Sequence, residues 1–282
     1  MTHILALAGK KQSGKNTAAN FILATYLAHL GIVRGCVEIK ASGAIHVTDV
    51  WGNPDVCGEF NMDLSNDEIL KFFNEYIHPY VKQYSFADML KDEVCIKILG
   101  LTYEQCYGTD EQKNSETHLK WEDMPGVITT KTREAFSYDG NGLGDYHLEW
   151  LKMMEHEEGH MTAREVMQYV GSDVFRKMYH NVWADATIRK IKQENTELAI
   201  ITDCRFPNEV EAVQNAGGKV VRLNRDPFKG KDQHVSETAL DQGNFDWAKF
   251  DSVIDNAQMN IKQQNQALYT VLAPWSYMPE IT

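Results

Sequence analysis

Two short apolar runs stand out from an otherwise mixed chain. His3-Ile4-Leu5-Ala6-Leu7-Ala8 opens it, and Leu198-Ala199-Ile200-Ile201-Thr202 comes late. Runs of this length without polar alternation read as strands buried on both faces, as in a parallel sheet. The pattern predicts further strands at Cys36 to Lys40, Ala44 to Val50, Val81 to Phe86, Val220 to Leu223 and Ser252 to Ile254. Ala18 to Leu30 holds no Gly or Pro and reads as a helix. Capping-box patterns at Ser65-x-x-Glu68, Thr102-x-x-Gln105 and Thr162-x-x-Glu165 open three more. The first of these runs to about Tyr76, before Pro79, and the last stops at Gly171. Helices are also expected from Phe86 to near Gly100, over Asn181 to Lys192, over Glu209 to Ala216 before Gly217-Gly218, and over Gln258 to Leu272.

Strands alternating with helices predict an α/β fold, a mostly parallel central sheet with helices on both faces. Trp51 to Asp63 reads as loop, and residues 114 to 160 lack periodicity, with Asp139 to Gly144 as a mobile loop. The expected organisation is one domain over 1–282 with insertions at 36–80 and 114–160, the second a substrate-covering or peripheral elaboration.

Composition narrows the function. A formal net charge of −12 argues against a nucleic-acid backbone as the main partner. A phosphorylated small molecule stays compatible, because a few local cations can bind it within an acidic protein. No stretch is long and apolar enough to span a membrane, and no charged leader precedes an apolar segment. Cys36, Cys57, Cys95, Cys106 and Cys204 form no C-x-x-C pair, so a reduced, cytoplasmic protein is expected.

The chemistry begins where the first apolar run breaks into Gly9-Lys10-Lys11-Gln12-Ser13-Gly14-Lys15-Asn16-Thr17. Strand, glycine turn and helix are the context of a P-loop, and the G-x4-G-K spacing is complete. Two glycines let the backbone N–H groups curl around an anion, the helix N-terminus adds partial positive charge, and Lys15 adds a full one. The position after the lysine usually carries the Mg²⁺-binding hydroxyl; here it is Asn16, and the hydroxyl follows at Thr17. Asp203 ends the late apolar run as a Walker-B-type acid does, and with Thr17 could order Mg²⁺. The competing structural role is an Asp opening a turn at a helix N-terminus. Arg205 could neutralise phosphate charge, and Arg164 with Gln168, at i and i+4, could seat a monophosphate or a base edge.

Other features are weaker. His156-Glu157-Glu158-Gly159-His160 fits H-E-x-x-H, but Gly159 weakens a helix there and a new helix starts at Thr162, so a zinc-hydrolase reading is rejected. His234-Val235-Ser236-Glu237, beside Lys229 and Lys231, reads either as a phosphate-contacting lid or as a helix start capped by Ser236. Tyr179 and Trp183 read as core or pocket wall.

Several separate motifs, in order, resemble the phage-type deoxynucleoside monophosphate kinases. Gly14-Lys15-Asn16-Thr17 is similar to that family's G-K-D-T loop, with Asn for Asp. Phe86-Ala87-Asp88-x-Leu90-Lys91, Tyr107-Gly108-Thr109-Asp110, Arg164 to Asp173, Asp203-Cys204-Arg205-Phe206-Pro207-Asn208-Glu209, His234-x-Ser236-Glu237 and Asp255-Asn256 resemble further segments. The likeness thins over 36–80 and 114–160. It implies a P-loop kinase fold, ATP and Mg²⁺, and a deoxynucleoside monophosphate acceptor. ATP would then be bound by Gly9, Lys10, Gln12, Ser13, Gly14, Lys15, Asn16 and Thr17, and the metal by Thr17 and Asp203. Lys15, Asp203 and Arg205 would serve catalysis. Lys91, Arg164, Gln168 and Asp173 would bind the acceptor. Partners would be small-molecule nucleotides, without nucleic acid or membrane; a homodimer is left open, and a phage-encoded chain would act in the host cytoplasm. Another small-molecule P-loop kinase and a non-catalytic nucleotide-binding protein remain as alternatives at this stage.

Overall fold

The two apolar runs become neighbouring strands. A computed structural model describes residues 2–33, 37–47, 53, 58–60, 67–130, 154–228 and 235–279. The strands in chain order are β1 His3–Ala8, β2 Val37–Ile39, β3 Ile45–Val47, β4 Gly58–Phe60, β5 Val81–Tyr84, β6 Glu116–Lys120, β7 His160–Thr162, β8 Leu198–Cys204, β9 Lys219–Leu223 and β10 Ser252–Ile254. The chain divides into two compact units, Met1–Ala87 with Trp183–Thr282, and Asp88–Val182.

The first unit is built on a five-stranded sheet in the order β10-β9-β1-β8-β5, parallel throughout. Alternation along these strands feeds two cores. Leu5, Leu7, Leu198, Ile200, Val221 and Leu223 pack with Ala18, Ile22, Leu23 and Leu27 of helix α1 (Lys15–His29) and with Leu268 and Leu272 of the helix Ile261–Leu272. Ile4, Ala6, Ala8, Ala199, Ile201 and Val220 pack on the other face with Ala184, Ile188 and Ile191 of the helix Val182–Glu194 and with Val210 and Val213 of the helix Pro207–Asn215. Helices thus cover both faces of a parallel sheet, the α/β layering expected from the sequence. A second sheet, β2-β3-β4, is antiparallel, and its β2–β3 turn reaches α1, where Asn20 donates to the Gly43 carbonyl at 2.9 Å.

The second unit holds a π-helical stretch, Met89–Ile96, two short helices, Tyr103–Tyr107 and Asp110–Lys113, and the antiparallel pair β6–β7. The helix Ala163–Gln168 follows, its Thr162 capping box formed as expected. It does not stop at Gly171 as the sequence suggested: it continues as a second π-helical stretch, Tyr169–Arg176. Gly171 serves packing instead. A Cβ there would lie 2.6 Å from Leu90 Cδ2, so any side chain at this position would push the Leu90 tip away.

Other expectations change as well. Gly58–Phe60, within the stretch expected as loop, forms β4 and pairs with β3. The strand after Pro79 ends at Tyr84 rather than Phe86, because Ser85 to Ala87 turn back around the Asp203 carboxylate. Tyr179 is 52% exposed, not core, whereas Trp183 is buried. Trp51, the segment Pro54–Cys57, Ser65, Asp139–Gly144, Lys229, Lys231, His234 and Cys36 lie outside the described residues. Cys95, Cys106 and Cys204 are free and buried. Among the described residues no helix is long and apolar enough to cross a membrane.

Candidate active site

The parallel register places the relevant residues at one edge. Ala8 pairs with Cys204, so Gly9 leaves β1 beside the end of β8, where Asp203 is the last residue but one of the strand and Arg205 the first beyond it. That edge, at the C-terminal ends of the strands, is where ligands of open parallel sheets bind.

The turn from Gly9 to Gly14 is shaped by its backbone. Gly9 has φ 149° and Gly14 φ 99°, and a Cβ on Gly9 would lie 2.6 Å from Ser13 Oγ and 2.7 Å from the Leu223 carbonyl. Gln12 also takes a positive φ of 57°. Helix α1 starts directly at Lys15, with no side chain capping its first N–H groups and no acid in its first turn. Its partial positive charge is left for an external anion. Ser13 Oγ is buried without a hydrogen-bond partner.

Lys15 curls back into the turn. Its Nζ donates to the carbonyls of Gly9 and Lys10, both at 2.7 Å, and the residue is 7% exposed. Burial, reinforced by the positive charge of Arg205 and opposed by Glu237, Asp203 and Cys204, pulls its pKa down to about 8. Lys10 points elsewhere, into a pair of carboxylates, Asp226 at 3.0 Å and Asp241 at 3.1 Å. Asn16 is exposed and Thr17 half-buried, under the β2–β3 turn; a Cβ on Gly43 would meet Thr17 Oγ1 at 2.8 Å.

Asp203 does structural work of another kind than opening a turn of its own: from within β8 it holds the turn that follows β5. One carboxylate oxygen accepts from Phe86 N at 2.8 Å; the other accepts from Ser85 Oγ at 2.5 Å and Ala87 N at 3.2 Å. It nonetheless lies near enough to Lys15 to help hold the lysine's proton. Arg205 is anchored twice. Its N–H donates to Glu209 Oε2 at 2.8 Å, and its guanidinium pairs with Glu237 Oε1.

Three residues outside the set of candidate site residues complete the site. Glu237 Oε2 accepts from the Lys11 N–H at 2.5 Å. Asn256, fully buried, donates from Nδ2 to the Ser13 carbonyl at 2.8 Å and to Gln264 Oε1 at 2.6 Å. Gln264 Nε2 in turn donates to the Gly14 carbonyl at 3.3 Å. The amide of Gln264 fills the space a Gly14 side chain would need, since a Cβ would lie 2.7 Å from its oxygen. Among these, only Asn256 and Glu237 belonged to motifs noticed in the sequence.

The four acceptor-site candidates all belong to the second unit. Lys91 Nζ sits 4.3 Å above the Tyr107 ring, whose hydroxyl donates to Asp92 at 2.7 Å and Asp88 at 3.2 Å. Arg164 donates to Asn114 at 2.9 Å and pairs with Asp110 at 2.6 Å. Gln168 is exposed, and Asp173 pairs with Lys177 at 2.9 Å. The H-E-x-x-H run is not helical. His156 lies in irregular chain stacked on Trp121, and His160 lies in β7, bonded to the Thr117 carbonyl. Among the described residues no three His, Cys, Asp or Glu side chains cluster as a metal site. A groove of about 1060 Å³ runs between the outer face of α1 and the helix Ile261–Leu272, and no residue from Gly9 to Thr17 lines it.

Comparison with known proteins adds two findings. A family model described as deoxynucleotide monophosphate kinase matches residues 76–262, two thirds of the chain. That span contains Asp203, Arg205, Glu237 and Asn256 and begins after the Gly9–Thr17 turn. The chain is also 26% identical over 168 residues to a putative deoxynucleotide monophosphate kinase of Acanthamoeba polyphaga mimivirus, with 55% of this chain and 67% of that protein covered.

Proposed function

Because the chain belongs to the deoxynucleotide monophosphate kinase family, and is a kinase, we propose that it transfers the γ-phosphoryl group of ATP to a deoxynucleoside 5′-monophosphate. The observation that carries this reading is the meeting of Lys15, Asp203 and Arg205 at one edge of one parallel sheet. The acceptor is an anionic phosphate oxygen, so no strong base and no covalent intermediate are needed. Rate comes from positioning and charge neutralisation.

The residues fit a triphosphate. The uncapped start of α1, the inward turn between two positive-φ glycines and the unpartnered Ser13 hydroxyl all present donors to an anion. Lys10 and Gln12 belong to the same turn, and Asn16 to the first turn of α1. Lys15 exchanges its two carbonyl partners for β- and γ-phosphate oxygens, and Arg205 balances charge between donor and acceptor. Thr17 and Asp203 are the residues that would hold Mg²⁺, since their oxygens are the hard ligands it prefers and the ion keeps several waters of its own. When bound, the ion would neutralise charge on the phosphates. Asp203 also fixes the turn after β5 and so cannot swing freely. Within the second unit we assign the acceptor to Lys91, Arg164, Gln168 and Asp173; Arg164 and Asp173 would give up their present partners Asp110 and Lys177.

Product analysis with ATP, Mg²⁺ and each deoxynucleoside monophosphate in turn tests the proposal. Formation of ADP together with a deoxynucleoside diphosphate is expected for at least one acceptor. Phosphate release alone, or no turnover with any acceptor, would overturn it.

A further inference from the structure

Glu237 lies on the short helix Val235–Thr238 and is only 7% exposed. A carboxylate this deep is tolerated only when paired and hydrogen-bonded. Both conditions are met by the site itself. One oxygen takes the Arg205 guanidinium, and the other takes the Lys11 N–H at 2.5 Å. Glu237 therefore ties a side chain that follows β8 to the backbone of a turn that follows β1. The main chain of Arg205 is fixed separately by Glu209. Without Glu237 the anchor at the base of the side chain would remain, but its charged end would be free. Arg205 and Lys15 also repel each other across this cluster, and Glu237 is a negative charge that faces both.

We propose that Glu237 is a positioning residue of the phosphoryl transfer, holding the Arg205 guanidinium against the glycine turn so that the two charge-neutralising elements move as one. The inference rests on the function proposed above. Transfer that gains its rate from placement loses it when an arginine wanders among rotamers, even if the donor still binds.

The test is a double-mutant cycle on the full-length chain, with Glu237→Gln, Arg205→Ala and the pair. The readouts are kcat, KM and Kd for ATP, and the melting temperature. Glutamine keeps the size and an acceptor oxygen but drops the charge. The expected result is a fall in kcat of about tenfold or more, with Kd for ATP within about threefold of wild type. In the Arg205→Ala background the same substitution should have a much smaller effect, because the group it positions is gone and only its contacts to the turn remain. Glu237→Asp, which restores the charge on a shorter arm, should recover part of kcat, and serves if the glutamine variant folds poorly. Two results would overturn the inference: an undiminished effect of Glu237→Gln in the Arg205→Ala background, or an unchanged kcat, which together with tighter ATP binding would make the carboxylate a competitor of phosphate. A wild-type chain inactive toward every deoxynucleoside monophosphate would instead remove the proposed function.

Discussion

Nucleotide affinity should fall as pH rises through the titration of Lys15. The unliganded lysine has a pKa of about 8, first because it is buried and then because Arg205 is near. Phosphate oxygens favour the charged form and should return the pKa at least to the ordinary value of about 10.5. At pH 7 the free lysine is already protonated and nothing is lost. At pH 9 only about a tenth of it is, so binding takes up ~0.9 proton and affinity drops roughly tenfold, about 1.4 kcal/mol. The phosphate groups of the nucleotide do not blur this, since their last pKa is about 6.

Titration calorimetry of ATP from pH 7 to 9.5, in two buffers of different ionisation heat, reads both the affinity and the proton uptake. Lys15→Met should abolish the slope together with most of the affinity. For folding the sign is reversed. The native chain holds this proton more weakly than the unfolded one does, so below about pH 8 the charged lysine costs stability in full, and the cost is relieved as pH climbs from about 8 toward 10.5. A wild-type affinity that stays flat across this range, with no proton uptake at pH 9, would refute the burial of Lys15 as the source of its depressed pKa.

Three further outcomes follow from packing and hydrogen bonding. Asp203→Asn puts a donor where Ser85 Oγ and the N–H groups of Phe86 and Ala87 now donate; denaturant unfolding should show a loss of about 1–3 kcal/mol, and unchanged stability would mean the carboxylate does not hold the turn. Gly14→Ala forces a Cβ onto the Gln264 amide at 2.7 Å and strains a φ of 99°; it should cost about 1–3 kcal/mol and remove ATP binding by calorimetry, and normal binding would contradict the tight turn. Gly171→Ala pushes a Cβ onto the movable tip of Leu90 while alanine gains up to about 1 kcal/mol over glycine inside a helix; thermal melting should show a net loss under about 1 kcal/mol, and a loss above about 3 kcal/mol would mean that Leu90 cannot yield.

The parallel sheet and its glycine turn were legible in the sequence because their signals are local. An apolar run, two glycines at fixed spacing and a lysine lie within thirteen residues, and the register of β1 with β8 did the rest. Gly171 misled because a glycine after a helical pattern usually marks a stop. Here it marks a close approach by Leu90, a contact between segments eighty residues apart that no periodicity carries. The π-helical stretches Met89–Ile96 and Tyr169–Arg176 read as ordinary helix in the sequence, because no residue type separates i→i+5 from i→i+4 bonding.

What the sequence could not assign is the polar wiring behind the turn. Asn256 and Gln264 reach Ser13 and Gly14 across more than two hundred residues, and Glu237 reaches Lys11 over a similar distance. Their chemistry is ordinary for exposed residues; burial alone gives them a role, and burial is a property of the fold. At Asp203 a structural hold and a charge felt by Lys15 coexist in one carboxylate. A carboxylate offers about four acceptor positions, and three donors fill most of them. The group is thereby fixed at the sheet edge with its charge facing Lys15. Holding the turn is what makes the charge stationary, and a stationary charge is what a reaction governed by placement requires.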